Sequence, residues 1–178
     1  MDRIDIGTWA NISAEGWSSL LLGNGASIAI HKEFAYPTLH GIADAKGLLA
    51  TTAPIFAKLG TTDFEHVLLA CWYAEHVNGA LGTPSAAISA AYEEVRTALI
   101  EAVHSVHPVH ADVAADLQRI GAFASVFPTV VSLNYDLTLY WAMLLFNTAN
   151  GSWFKDAFHH GEFQTDWEYQ RRPYGHAA

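Results

Sequence analysis

The chain has 178 residues, 51% apolar and 15% charged, which is the composition of a globular domain and not of a disordered chain. Nine Lys and Arg against eighteen Asp and Glu give a formal net charge of −9, which argues against unaided binding to nucleic acid, where clustered cations supply most of the affinity. The single cysteine, Cys71, excludes an intrachain disulfide scaffold and reads as a small core residue. Met1-Asp2-Arg3-Ile4-Asp5 lacks the basic-then-apolar order of a signal peptide, and the apolar stretch Val130 to Phe146 is interrupted by Asn134 and Asp136. The expectation is a soluble, cytoplasmic protein without direct contact to membrane or nucleic acid.

In chain order, residues 1–16 form a polar lead-in. Trp17 to Leu22 is a short apolar run that ends at Gly23, the pattern of a buried parallel strand. Ala26 to Ile30 can start a helix after the glycine turn, and His31 to Thr38, with Pro37, reads as a loop. Thr62-Asp63-Phe64-Glu65 reads as a capping box with Thr62 as N-cap. Phe64, Val67, Leu68, Cys71 and Trp72 then follow at helical spacing, and Asn78-Gly79 and Gly82 end the helix. Pro84 suits the first turn of the next helix, whose stripe runs from Ile88 through Tyr92, Val95, Leu99, Ala102 and Val103 to Val106, and Pro108 stops it. A third helix is expected over Ala111 to Ala124, with Val113, Leu117, Ile120 and Phe123 or Ala124 facing inward.

Thr129 to Leu133 is β-branched and apolar and reads as a second buried strand, ending at Asn134-Tyr135-Asp136. Leu137 to Phe146 returns to helical spacing, with Tyr140 and Trp141 expected in the core. Residues 147–178 read as an irregular, aromatic tail. The fold class expected is α/β: one Rossmann-like domain over 1–178, a parallel sheet with a large helical insert, about residues 45–126, between the first two core strands. Two strands make a poor sheet. Further strands in the tail, or a homo-oligomer or companion subunit pairing an open edge, are expected to complete it.

Polar residues follow both strands. Gly23-Asn24-Gly25 lacks the third glycine of a dinucleotide fingerprint, since Ile28 stands there, and lacks the Gly-Lys-Ser/Thr of a triphosphatase loop. It reads either as a tight strand-to-helix turn or as a phosphate-binding turn. Asn134 and Asp136 read either as caps of the following helix or as ligand-binding groups. His104, His107 and His110 fall at three-residue steps but are interrupted by Pro108, so a metal site is not expected. His31 and His40 flank the proposed pocket.

Together these motifs resemble a known family. Gly23-Asn24-Gly25-Ala26-Ser27 followed by Tyr36-Pro37-Thr38-Leu39, then Thr62-Asp63-Phe64-Glu65, then Ser132-Leu133-Asn134-Tyr135-Asp136 with Leu139-Tyr140-Trp141-Ala142, resemble in order the motifs of bacterial sirtuin-like domains. The resemblance covers Leu20 to Ala142 and lies closest to an uncharacterised bacterial branch. It implies an NAD-binding domain that hydrolyses NAD at the nicotinamide–ribose bond, as in bacterial anti-phage defence. The alternative is a catalytically incomplete module that binds NAD or ADP-ribose as a regulatory or partner subunit. By the resemblance, the backbone of Gly23, Asn24, Gly25, Ala26 and Ser27 holds the pyrophosphate, with Tyr36 and Pro37 beside it. Asn134 orients water or substrate at the ribose, and Asp136 positions the nicotinamide side or holds the loop.

The family also places a histidine, often His-Gly, after the Asn-Tyr-Asp strand. Here the downstream histidines are His159, His160 and His176, and His160-Gly161 matches the dipeptide. It follows an irregular stretch, so the chain is expected to be truncated before the family's later strands. Protein deacylation is disfavoured, because true sirtuins carry a four-cysteine zinc module and this chain has one cysteine.

Overall fold

The structure is a computed structural model that describes residues 8–159, 161–166 and 168. It is mixed α/β, with helices predominating and one two-stranded parallel sheet. The elements are α1 (Trp9–Ile12), β1 (Ser19–Leu22), α2 (Asn24–Ile30), α3 (Tyr36–Ala45), α4 (Ala53–Leu59), α5 (Phe64–Leu81), α6 (Ala86–Val106), α7 (Ala114–Ala124), β2 (Thr129–Ser132), α8 (Thr138–Asn150), β3 (Phe158–His159) and β4 (Glu162–Phe163). Short 3₁₀ turns at Lys32–Phe34 and His110–Val113 precede α3 and α7. Among the described residues no helix is long and apolar enough to cross a membrane.

The chain forms two compact units. One comprises residues 23–114 and 134–138; the other comprises 1–22, 115–133 and 139–178. The first unit is helical. Its core is built from Phe34, Leu39, Phe56, Phe64, Val67, Val95 and Leu99, all at most 2% exposed. The stripe read along α6 is its centre: Val95, Leu99, Ala102 and Val103 are buried, and Ile88, Tyr92 and Val106 pack against them. Cys71 is buried in the same cluster, and burial raises its thiol pKa. The turn before α4 is tied to α6 by Glu94, which accepts from the backbone and hydroxyl of both Thr51 and Thr52. These hydroxyls and amides lower the Glu94 pKa and satisfy the buried Thr52.

Several helix starts differ from the sequence reading. The expected loop His31 to Thr38 contains a 3₁₀ turn and the first turn of α3, with Pro37 in that turn. A proline there removes only an N–H that has no intrahelical partner. The cap of α5 is Asp63 and not Thr62: its carboxylate accepts from Glu65 N–H at 2.9 Å and His66 N–H at 3.2 Å. A charged acceptor is favoured at a helix N-terminus. Pro84 precedes α6 and lies outside its first turn; its carbonyl accepts from the Asn78 side chain, and Ser85 is the cap. Asn78 and Gly79, expected to end α5, lie inside it; the helix runs on to Leu81 and is stopped by Gly82, left-handed at φ 67°.

The second unit contains the parallel pair, with Leu20 opposite Val130 and Leu21 opposite Val131. Both strands were expected to be buried. Instead Leu21 is 64% and Val131 45% exposed, while Leu20, Leu22 and Val130 are half-buried. Alternate side chains leave opposite faces of a strand, and only one face of this pair is partly covered. The tail adds a separate antiparallel pair, β3 with β4, which does not extend the parallel sheet.

Tyr140 and Trp141 were expected in the core, yet Tyr140 is exposed and Trp141 half-buried; Ala142 is the fully buried residue of that turn. The cause is a close helix crossing. A Cβ at Gly121 of α7 would lie 3.0 Å from the Ala142 carbonyl oxygen and 3.0 Å from Phe146 Cβ. In α7 it is Ala124 that faces inward, while Phe123 packs edge-on against Trp9 and Phe127. Gly121→Ala gains about 1 kcal/mol of helix propensity but forces this crossing apart. The expected outcome is a net loss of about 1–2 kcal/mol in urea unfolding.

Candidate functional site

The segment after β1 and the segment after β2 meet within the helical unit. Gly23 is the extended N-cap of α2 (φ −109°, ψ −174°), and α2 begins at Asn24. Asn24 donates from its side chain to the Phe34 carbonyl at 3.1 Å, which fixes the far side of the turn. Ser27, one turn into α2, is fully buried. Its hydroxyl accepts from Asn134 Nδ2 at 2.7 Å and donates to Asp136 Oδ2 at 2.5 Å. The other carboxylate oxygen of Asp136 accepts from the backbone N–H of Thr138 at 2.8 Å and from the Thr138 hydroxyl. Asp136 therefore holds the start of α8 and joins Ser27 at once.

Neither glycine of the turn is demanded by the protein's own atoms. Among the described residues, a Cβ at Gly23 or Gly25 would meet nothing within 4 Å, and neither residue has positive φ. Gly25 lies inside a helix, where glycine costs about 1 kcal/mol relative to alanine.

A second group of polar residues stands in the same unit. The Tyr36 hydroxyl, in the first turn of α3, donates to the Glu65 carboxylate in the first turn of α5. Burial pushes the Glu65 carboxyl up; the Tyr36 hydroxyl opposes that shift and Asp63 adds to it. Burial and then the Glu65 carboxylate raise the Tyr36 phenol well above its usual range. The Tyr135 phenol is raised by burial first and by the charge of Glu65 second.

Other histidines take structural positions. His31 caps α2 through its backbone and sets its ring edge-on to Phe34. The His40 ring packs on Phe56 and Phe64. The contribution of His107 is not visible from its sequence context: it caps α6, and its Nε2 accepts from the Leu137 backbone N–H at 3.0 Å, thirty residues away. Among the described residues, no group of three or more His, Cys, Asp or Glu side chains comes together as metal ligands. His160 and His176 lie outside the described residues.

A family model described as a domain of unknown function (DUF4917) matches residues 20–178, and the chain belongs to that family. No curated protein and no solved structure matches the chain.

The shifted carboxyl of Glu65 carries a pH signature. Its folded pKa lies above the ordinary value of 4.5, so the fold favours its protonated form. Its contribution to stability is present below that value and is lost as pH rises through the folded pKa. Glu65→Gln keeps an acceptor for Tyr36 and removes the charge. Thermal melts are expected to show the variant gaining on the parent at pH 8, with the gain shrinking toward pH 4. A gain independent of pH would contradict the assignment.

Proposed function

We propose that this member of the DUF4917 family is a sirtuin-like, Rossmann-like NAD-binding domain that cleaves the nicotinamide–ribose bond. The observation that carries the reading is the convergence of Ser27, Asn134 and Asp136. Three residues from two of the recognised motifs, more than a hundred positions apart, form one hydrogen-bonded group. The open space at Gly23 and Gly25 supports it further, because a backbone free of side chains is what a pyrophosphate needs for close approach.

In this reading the Gly23 to Ser27 backbone binds the pyrophosphate, and Tyr36 and Pro37 border it. Cleavage of the glycosidic bond builds positive charge on the ribose, and fixed dipoles of the site stabilise that charge. The Asn134 carboxamide orients the attacking water. Asp136, with one oxygen on Ser27 and the other on Thr138, is a positioning residue that fixes Asn134. His160 is assigned as the base, and NAD is substrate and not a resident cofactor.

A second reading is binding of NAD or ADP-ribose without turnover, as a regulatory or partner subunit. It is favoured by the internal commitment of Asp136, both of whose oxygens already accept hydrogen bonds from the protein.

Chromatography of NAD incubated with the protein separates these readings. Release of nicotinamide and ADP-ribose by the parent, at least a hundredfold slower with Asn134→Ala, is the expected result. Absence of release with a thermal shift by NAD selects the binding reading. Absence of both overturns the nucleotide assignment. Gly25→Val tests the phosphate turn separately: the helix is expected to tolerate it, with unfolding free energy within about 1 kcal/mol of the parent, while the NAD-dependent thermal shift is abolished.

A further inference from the structure

Helices α3 and α4 and the turn into α5 border a cavity of about 380 Å³ in the helical unit. Its walls are His40 of α3, Ala53, Phe56 and Ala57 of α4, and Thr61 and Thr62 of the turn. Ligand sites run from roughly 300 to 1,000 Å³, so this is a small one. No carboxylate, Lys or Arg side chain lines it. A charged group placed there would lose hydration without gaining a partner, so the cavity suits an uncharged guest. Part of the wall is aromatic: the His40 ring stands 4.8 Å from the Phe56 ring and 6.3 Å from the Phe64 ring, centroid to centroid.

His40 also carries an unmet polar atom. Its Nε2 is buried and makes no hydrogen bond among the described residues. Buried polar atoms are nearly always paired, and leaving one unpaired costs stability that a bound partner restores.

Beside the cavity stands a pair of acceptors. Tyr36 precedes His40 by one turn of α3, and Glu65 follows Thr62 by three residues, so the Tyr36–Glu65 hydrogen bond joins the same two elements one step along. Tyr36 gives its proton to Glu65, and the pair therefore offers a ligand acceptors and no donor. Asp63 adds a second carboxylate at the same helix start. Among the described residues neither acid is paired with Lys or Arg. Hydroxyl groups complement such a pair, and a phosphate is repelled by it. The pair is also tied to the glycine turn, because Phe34, two residues before Tyr36, accepts from the Asn24 side chain.

We propose that these elements form a nucleoside subsite, with an uncharged heterocyclic base in the cavity and the hydroxyls of its ribose on Tyr36 and Glu65. The inference rests on the nucleotide reading, which gives the nicotinamide ribose to Asn134 on the Ser27 side of the turn and leaves the adenosine half for the Phe34 side. A purine meets each feature of the wall. It is planar and neutral and packs on Phe56, and its edge carries donors and acceptors for Thr61, Thr62 and, after a small rotation of the imidazole, His40 Nε2. A carboxylate that accepts from the ribose 2′-hydroxyl repels a 2′-phosphate, so the subsite takes NAD and rejects NADP.

Titration calorimetry of the full chain with NAD and with NADP tests it. NAD is expected to bind at least tenfold more tightly than NADP, and Glu65→Gln to bring the two affinities within about threefold. Ala57→Leu, at an exposed helical position that tolerates leucine, fills the cavity; it is expected to weaken NAD at least tenfold with an unchanged circular dichroism spectrum. Equal affinities for NAD and NADP, a ratio that Glu65→Gln leaves unchanged, or an Ala57→Leu variant that binds NAD like the parent each overturn the subsite, while the nucleotide reading survives because NAD still binds. Binding of neither dinucleotide overturns both. Should the leucine disturb the fold, His40→Phe decides, since it keeps a ring packed on Phe56: a tenfold loss of NAD affinity supports the subsite, and an unchanged affinity overturns it.

Discussion

A buried hydroxyl sets the organisation of the helical unit. Ser27 is fully enclosed, and burying a hydroxyl without partners costs on the order of a few kcal/mol. Asn134 and Asp136 meet that demand, so residues 134–138 are drawn into a unit otherwise made of residues 23–114. Asp136 is then placed to fix the Thr138 amide and start α8, and His107 receives the Leu137 amide on the other side of the same segment. Each group satisfies the next, which is how a polar cluster tolerates burial.

The same logic recurs away from this cluster. Glu94 gathers four donors from Thr51 and Thr52 and so anchors the turn before α4 to the central helix. Glu65 and Tyr36 join the first turns of α5 and α3. The two carboxyls respond to their surroundings in opposite directions. Glu94 is surrounded by donors, which favour its charge, and Glu65 by desolvation and a neighbouring carboxylate, which oppose it.

The apolar surface is distributed just as unevenly. The helical unit has a dense core under α6, yet one of its longest helices shows solvent a row of large apolar side chains. The two-stranded sheet likewise leaves Leu21 and Val131 open. Surfaces of this kind are associated with contacts beyond a single chain.

Much of this was legible in the sequence because it depends on local chemistry. The period of the α6 stripe, the left-handed glycine after α5, the β-branched run of β2 and the glycine turn after β1 are each written in consecutive residues. Their element types follow from spacing and backbone preference. The family resemblance also grouped Ser27 with Asn134 and Asp136, and these three residues form one hydrogen-bonded group. What the sequence alone left undetermined were matters of partnership. Asp63 and Thr62 are both good caps, and only the path of the chain selects the carboxylate. Tyr140 and Trp141 are more apolar in appearance than Ala142, but the close crossing at Gly121 admits only the smaller residue. The strands looked buried because an apolar run does not specify how many layers will cover it. His107 gave no local signal, since its partner is a backbone amide thirty residues along. Spacing thus determined the elements, and tertiary packing decided which polar groups meet and which apolar faces stay open, because both depend on atoms that no local window contains.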